Sequence, residues 1–311
     1  MIYDMIIIGA APAGLTAALY GARQGSKVLV IEKELPGGQA ASTNLIENYP
    51  GTELGVTGPE LVELMVKQAK EFGAELITDL IESVELKGDI KTIKTIKAEY
   101  KAKSVIIATG ASPRKLGVEG EAEYTGKGVG YCATCDAPFF QDLDIYVIGG
   151  GNSAVDEAIY LTKFGRSVTI IHRRDKLTAD AVSQELAFAN EKINFIWDSE
   201  VTKFEGEGLL KSMEIRNLKT GETKTIEADP EQGTFGVFIF AGNIPQTELF
   251  KDTLMLDSGY IVTDEDMRTE IPGVYAAGDV RKKTLRQVIT AAADGAIAAF
   301  VAGKDLENSR H

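Results

Sequence analysis

The sequence predicts an α/β protein built from two βαβ units, one set inside the other, and three observations carry that expectation. A strand–turn–helix–strand pattern occurs twice at a constant offset of 140 residues. Strand-to-glycine junctions flank the second copy on both sides, as paired crossings between two domains would. The length of 311 residues suits about two domains, each large enough for its own core.

In the first copy, residues 5–8 read as a strand, 9–14 as a tight turn, 15–24 as a helix and 27–31 as a second strand. The second copy has a strand over 146–148, a turn from Gly149 to Ala154, a helix, and a strand over 167–171. At the constant offset Ile8 and Ile148, Gly9 and Gly149, Tyr20 and Tyr160, Gly25 and Gly165, and Ile31 and Ile171 are identical. Two Rossmann-like units are the economical account. Between them, 92–102 and 104–107 look like strands leading to Ala108-Thr109-Gly110. A strand over 236–240 leads to Ala241-Gly242-Asn243, so hinges are expected near 111–117 and 242–247. The domains are then 1–114, 115–244 and 245–311, the last returning to the first. In that return 273–277 reads as a strand ended by Gly278-Asp279. An Ala-rich helix follows over 285–301, with Thr284 as its N-cap.

The turns have a chemical reading. A pyrophosphate favours a helix N-terminus, where free N–H groups and the helix dipole meet negative charge. Small residues give the sharp turn, the close approach of phosphate and the helix-to-strand packing. Gly9, Ala11, Pro12, Ala13 and Gly14 supply this in the first unit, with Ala11 where a second glycine is usual. Gly149, Gly151, Asn152, Ser153 and Ala154 supply it in the second. The residue ending the second strand separates the two cofactors. Glu32 can accept from ribose hydroxyls and would repel a 2′-phosphate. The matching place carries His172, Arg173 and Arg174, three potential donors. One unit therefore suits FAD and the other NADPH.

The chain has two cysteines, three apart, as Cys132-Ala133-Thr134-Cys135, with Asp136 directly behind. Such a pair closes a small disulfide that exchanges readily. The competing reading is half of a zinc site. Zinc needs about four ligands, and the sequence offers only two histidines beyond this pair, which favours redox chemistry and no metal. Asp136 reads as a general acid/base for thiol exchange, or alternatively as an N-capping carboxylate for the next segment. A net charge of −13 argues against an electrostatically driven nucleic-acid role. No apolar run approaches the ~20 residues of a membrane helix, and no secretory signal is visible ahead of residue 5. A cytoplasmic setting would keep the cysteine pair cycling.

Taken together, the two turns, Gly37-Gly38-Gln39, Glu47-Asn48-Tyr49-Pro50-Gly51, Ala108-Thr109-Gly110, the Cys132–Asp136 motif, His172-Arg173-Arg174-Asp175 and Gly278-Asp279 through Arg286-Gln287-Val288 resemble the low-molecular-weight, bacterial-type thioredoxin reductase family. These are class II pyridine nucleotide-disulfide oxidoreductases, and the resemblance covers essentially the whole chain. It implies an NADPH domain inserted into a discontinuous FAD domain. FAD would be held by Gly9 to Gly14, Glu32, Gly37, Gly38, Gln39 and Gly110, with Asn48 near the isoalloxazine and Val84 near the adenine. Asp279 would meet the ribitol or pyrophosphate region, and Arg286, Gln287 and Val288 would present the start of the last helix to the ring. The resemblance further implies that Cys135 lies next to the flavin and that Cys132 attacks the disulfide of thioredoxin. A homodimer is usual in such enzymes. Both the cysteines and the NADPH turn need the flavin, so a rotation about the two hinges would alternate them.

Other readings are a disulfide reductase using NADH or ferredoxin, or one serving a partner other than thioredoxin. Relatives with ferredoxin–NADP activity lack the cysteine pair and ferredoxin-driven thioredoxin reductases lose the basic motif, whereas this chain keeps both. A non-catalytic nucleotide-sensing module on the same fold is the alternative of another class. Thr178 stands where the family pattern places a further Arg, so the 2′-phosphate clamp is expected to lack one charge.

Overall fold

A computed structural model describes residues 1–43, 46, 48–53 and 55–309. The chain divides into two compact units, Met1–Ser112 with Ile244–His311, and Pro113–Asn243.

The first unit begins with β1 (Ile2–Ile8), α1 (Pro12–Arg23) and β2 (Val28–Glu32), continues through α2 (Gly58–Glu71), β3 (Glu75–Thr78), β4 (Ile81–Glu85) and β5 (Lys91–Thr95), and reaches β6 (Glu99–Ile107) and the short β7 (Ala111–Pro113). Strand order is β3-β2-β1-β6-β5-β4. The β3-β2-β1-β6 part is parallel, β5 adds antiparallel to the first half of β6, and β4 adds antiparallel to β5. The central strands are near-continuous aliphatic runs because both faces are covered. Met5, Ile7 and Val30 face α1 and α2, while Ile6, Ile8 and Leu29 enter a second cluster with Ile93 and Phe250. The single strand expected over 92–102 is instead a hairpin. Thr95 accepts from Ala98 N–H through Oγ1 (3.0 Å) and donates that hydroxyl to the Ala98 carbonyl (2.9 Å), reversing the chain between β5 and β6.

The second unit holds α3 (Glu121–Tyr124), β8 (Val129–Gly130), α4 (Ala133–Asp136), β9 (Asp144–Ile148), α5 (Asn152–Leu161), β10 (Ser167–Ile171), α6 (Ala181–Ala189) and β11 (Ile193–Ile196). The meander β12 (Ser199–Glu207), β13 (Leu209–Asn217) and β14 (Thr223–Glu227) precedes β15 (Gly236–Ile239). Its main sheet, β11-β10-β9-β15-β8, is parallel. Apolar clusters again lie on either face, one under α5 and α6, the other under the meander.

The chain returns through β16 (Asn243–Pro245), β17 (Leu256–Asp257), β18 (Tyr260–Ile261), β19 (Val274–Ala276) and α7 (Val288–Asn308). Strand β19 pairs with the second half of β6, in parallel. The long helix expected over 285–301 is present as α7, but it starts three residues later and runs on to Asn308. Its N-cap is Gln287 rather than Thr284, because Gln287 and Thr290 exchange side-chain-to-backbone hydrogen bonds in a reciprocal cap. At the crossings Gln246 N–H donates to the Gly110 carbonyl (2.9 Å) in the first unit, and Arg114 N–H to the Gly242 carbonyl (2.8 Å) in the second.

Candidate active site

The two cysteines form a disulfide, Cys132–Cys135, with Cα atoms 5.3 Å apart. Cys132 sits at the N-cap position of α4, and its carbonyl accepts from Asp136 N–H at 3.1 Å. Among the described residues no cluster of three or more His, Cys, Asp or Glu side chains is arranged to hold a metal. The segment entering the motif is tied down by a residue the sequence did not single out. Glu121, 3% exposed, accepts from Tyr131 Oη (2.7 Å), Leu116 N–H (2.9 Å) and Gly117 N–H (2.7 Å). Only the Glu121 carboxylate's burial reveals this, and no local pattern signals it. Asp136 makes no capping hydrogen bond to the 3-10 turn it precedes, so the capping alternative is not realised. Its carboxylate is packed against Gly130, where an added Cβ would lie 2.8 Å from Oδ2. Burial pushes its pKa up to about 6.

The two βαβ units match down to individual hydrogen bonds. Gly9 N–H donates to the Ile31 carbonyl (2.9 Å) and Gly149 N–H to the Ile171 carbonyl (3.1 Å). Ala11 and Gly151 take the same extended N-cap conformation ahead of α1 and α5. Pro12 occupies the first helical position, where its missing N–H costs nothing. Gly14 is obligatory, since a Cβ there would lie 1.9 Å from the Gly9 carbonyl oxygen. The methyl of Ala11 is tolerated because it lies beside Gly38, which has no side chain of its own. Ala13 is buried against Gly278. Glu32 Oε2 accepts from Ala10 N–H at 2.7 Å, Gly37 N–H donates to the Ala10 carbonyl at 2.8 Å, and the Gln39 amide reaches the Ala111 carbonyl. Glu32, Gly37, Gly38 and Gln39 are thus gathered around the first turn, with Gly110 following the end of β6. Val84 lies on β4 opposite Ile93, packed against the cluster on the far sheet face.

In the second turn Gly149, Gly151, Asn152 and Ser153 lead into α5, with Ala154 buried beneath. The loop after β10 folds back on this turn. Thr178 N–H (2.7 Å) and Oγ1 (3.1 Å) both donate to the Gly150 carbonyl, and Asn152 exchanges two hydrogen bonds with Asp180. Thr178 is therefore a latch on the turn, the counterpart of Gly37 in the first unit, and not merely a missing charge. His172, one of the three potential donors expected at this strand end, is buried, and its Nε2 has no hydrogen-bond partner among the described residues. It is 7% exposed, and its ring lies flat under Gly150, where a Cβ would be 2.5 Å from two ring atoms. Burial, then the charges of Arg174 and Arg173, push its pKa down, so it is neutral near pH 7. Arg173 and Arg174 are exposed.

The return segment supplies the rest. Asn48 Nδ2 donates to Gln287 Oε1 at 3.1 Å, joining residues far apart in sequence at the start of α7; Glu47 lies outside the described residues. Val288 opens α7 against the core. Asp279 Oδ1 and Arg286 Nε are buried with no hydrogen-bond partner among the described residues, and the Arg286 guanidinium stands 4.2 Å over the Tyr260 ring. Burial raises the Asp279 pKa against the opposing charges of Lys283 and Arg286. Orphaned buried polar atoms beside a phosphate-type turn fit a polar cofactor that would complete them. Asp294, also unforeseen, anchors this segment from α7. It accepts from Gly278 N–H (3.0 Å), Lys283 (2.7 Å) and Arg281 (3.2 Å).

A disulfide beside a carboxyl of raised pKa, on one of two dinucleotide-type units, defines a disulfide oxidoreductase. The chain belongs to the pyridine nucleotide-disulphide oxidoreductase family, whose profile it matches over residues 3–295. It is 55% identical to a thioredoxin reductase of Peptoclostridium acidaminophilum over 98% of both chains. It is 47% identical to one from Listeria monocytogenes over 98% of this chain and 94% of that one. The crystal structure of a Streptococcus pyogenes thioredoxin reductase superposes with a TM-score of 0.92 at 49% identity, covering 99% of each chain.

Proposed function

We propose that the chain is a thioredoxin-disulfide reductase that draws electrons from NADPH by way of FAD and passes them through Cys132 and Cys135 to oxidised thioredoxin. The observation that carries this reading is the pairing of a 132–135 disulfide with two hydrogen-bond-matched βαβ turns that end in opposite charges, Glu32 and Arg173-Arg174. The unit Met1–Ser112 with Ile244–His311 would hold FAD through the first turn, Glu32, Asp279 and the start of α7; the inserted unit would hold NADPH. FAD, when bound, supplies hydride acceptance and two-electron return to the disulfide. Cys132, once a thiolate, attacks a sulfur of the partner disulfide and forms a mixed disulfide, releasing one partner thiolate. Cys135 thiolate then attacks the Cys132 sulfur, which re-forms the 132–135 bond and frees the second partner thiolate. Asp136 holds and delivers a proton for this exchange, which its raised pKa suits. The homodimer, the cytoplasmic setting and the rotation about the two crossings come with the family resemblance; among the described residues no helix is long and apolar enough to cross a membrane.

Anaerobic NADPH added to the purified yellow protein should bleach the flavin band, and oxidised thioredoxin should restore it. Cys132→Ser and Cys135→Ser should each abolish thioredoxin turnover while NADPH still bleaches the flavin. A colourless protein that takes up no FAD would overturn the reading. Bleaching by reduced ferredoxin but by neither nicotinamide would reassign the donor.

A further inference from the structure

The end of β10 carries more charge than its two arginines, and the charges are sorted. Arg173, Arg174 and Lys176 are exposed and make no ion pair among the described residues. Yet two carboxylates are tethered to Arg174. Asp175 follows it in the chain, and Asp198 N–H donates to its carbonyl at 3.2 Å. Among the described residues neither carboxylate pairs with an arginine. Both are held by one cation, with Lys219 Nζ 3.1 Å from Asp175 Oδ2 and 2.9 Å from Asp198 Oδ2.

Lys219 is presented by a built turn. The side chain of Asn217, the last residue of β13, accepts from Lys219 N–H (2.9 Å) and Thr220 N–H (3.0 Å), and Leu218 N–H donates to the Asp198 carbonyl (2.6 Å). The meander thereby returns a lysine to the strand end that the nucleotide unit uses. The pair with Asp175 is exposed, and such pairs contribute little to stability, whereas the pair with Asp198 is half-buried and fixes where Lys219 stands. Its placement matters more for what it leaves free. A guanidinium already paired with a carboxylate is a poor donor to phosphate, whereas an uncommitted one can form charge-assisted, bidentate bonds.

We propose that Lys219 is a specificity-supporting, positioning residue for a 2′-phosphorylated nicotinamide nucleotide, sequestering Asp175 and Asp198 so that Arg173 and Arg174 stay free for the 2′-phosphate. The inference rests on the assignment of NADPH to this unit. It bears directly on a site where Thr178 replaces a further cation, so that two uncommitted arginines carry the discrimination. The Asp175 carboxyl is held below the usual range chiefly by its hydrogen bond to Lys219, consistent with a standing pair.

The test is calorimetric titration of the full-length holoprotein with adenosine 2′,5′-bisphosphate and with 5′-ADP, which reads binding without turnover. Lys219→Gln should weaken the 2′-phosphorylated ligand by about two- to fivefold, the range an unmasked competing ion pair allows, and leave the affinity for 5′-ADP unchanged. Lys219→Arg should retain the preference, and adding Asp175→Asn with Asp198→Asn to Lys219→Gln should restore it. In steady state KM for NADPH should rise with kcat and the KM for NADH unchanged. Equal binding of both ligands by Lys219→Gln and the unmodified protein overturns the proposal, as does equal weakening of both. An unmodified protein that does not prefer the bisphosphate would instead overturn the NADPH assignment.

Discussion

Asp136 is a carboxyl drawn partly out of water directly behind Cys135. Its carboxyl titrates at about 6 in the folded protein because burial disfavours the charge. A folded pKa above the unfolded one means that the group favours folding below about pH 4 and that this contribution is lost as pH rises through about 6. At neutral pH the half-buried carboxylate is therefore a cost, at most about 3 kcal/mol for a shift of roughly two units. Asp136→Asn should melt higher than the unmodified protein at pH 7.5, with the gain gone at pH 4. The same substitution should slow thioredoxin turnover and remove its pH limb near 6, while NADPH still bleaches the flavin at the original rate. A turnover profile unchanged in shape would show that Asp136 moves no proton. At His172 the residue scale also shows what a sequence hides. Its neighbours Arg173 and Arg174 suggest an exposed donor triad, but its ring is packed under Gly150, and only the tertiary contact reveals it. Gly150→Ala should accordingly drive the ring out of place and weaken adenosine 2′,5′-bisphosphate by tenfold or more, about 1.4 kcal/mol, with FAD content unaltered. Unchanged nucleotide binding in that variant would separate His172 from the turn.

At the scale of elements, the βαβ units were legible because their signals are local: apolar runs, small-residue turns and a fixed offset. Two misreadings have equally physical causes. The β5–β6 reversal at Ile96-Lys97-Ala98 contains no Gly, Pro, Asn or Asp, and is closed instead by the Thr95 hydroxyl. N-cap preference points to Thr284 as the residue before α7, whereas a Gln287–Thr290 reciprocal pair, which few sequence rules weigh, sets the start at Val288. That start matters, because α7 carries Asp294 to the Gly278 turn and Gln287 to Asn48. Helix α7 reaches α1 through Gly295, where a Cβ would lie 2.0 Å from the Ala13 carbonyl oxygen. Gly295→Val must push the helices apart at the first phosphate turn, an overpacking cost of about 1–3 kcal/mol. The variant should purify with less than stoichiometric FAD and a lowered melting temperature, whereas Ala293→Val, on the exposed face of the same helix, should match the unmodified protein. Full flavin content in Gly295→Val would mean that the helix contact does not shape the turn.

The whole molecule is two units that each hold their own sheet with apolar clusters on both faces. Length and the repeat suggest two domains. The units divide at 112/113 and 243/244, and glycine and proline after strand ends, signals that survive without tertiary context, suggest hinges near 111–117 and 242–247. What the sequence does not display is how far each unit depends on the other. The first unit is discontinuous, and unfolding the inserted one would leave its two parts joined by a loop of roughly 130 residues. Loop-closure entropy grows only as the logarithm of length, so such a loop costs a few kcal/mol and not the fold. Two separate transitions are therefore expected on heating the full chain. A ligand that binds one unit in a hundredfold excess over its Kd stabilises that unit by about 2.7 kcal/mol. Adenosine 2′,5′-bisphosphate should accordingly raise only the transition of the inserted unit, and loss of FAD should lower only the other. Differential scanning calorimetry, with Trp197 fluorescence to mark the inserted unit in which this single tryptophan lies, distinguishes the two. One transition shifted as a whole by either ligand would show that the units fold as a single cooperative body, and that the flavin-holding part requires the inserted one to close.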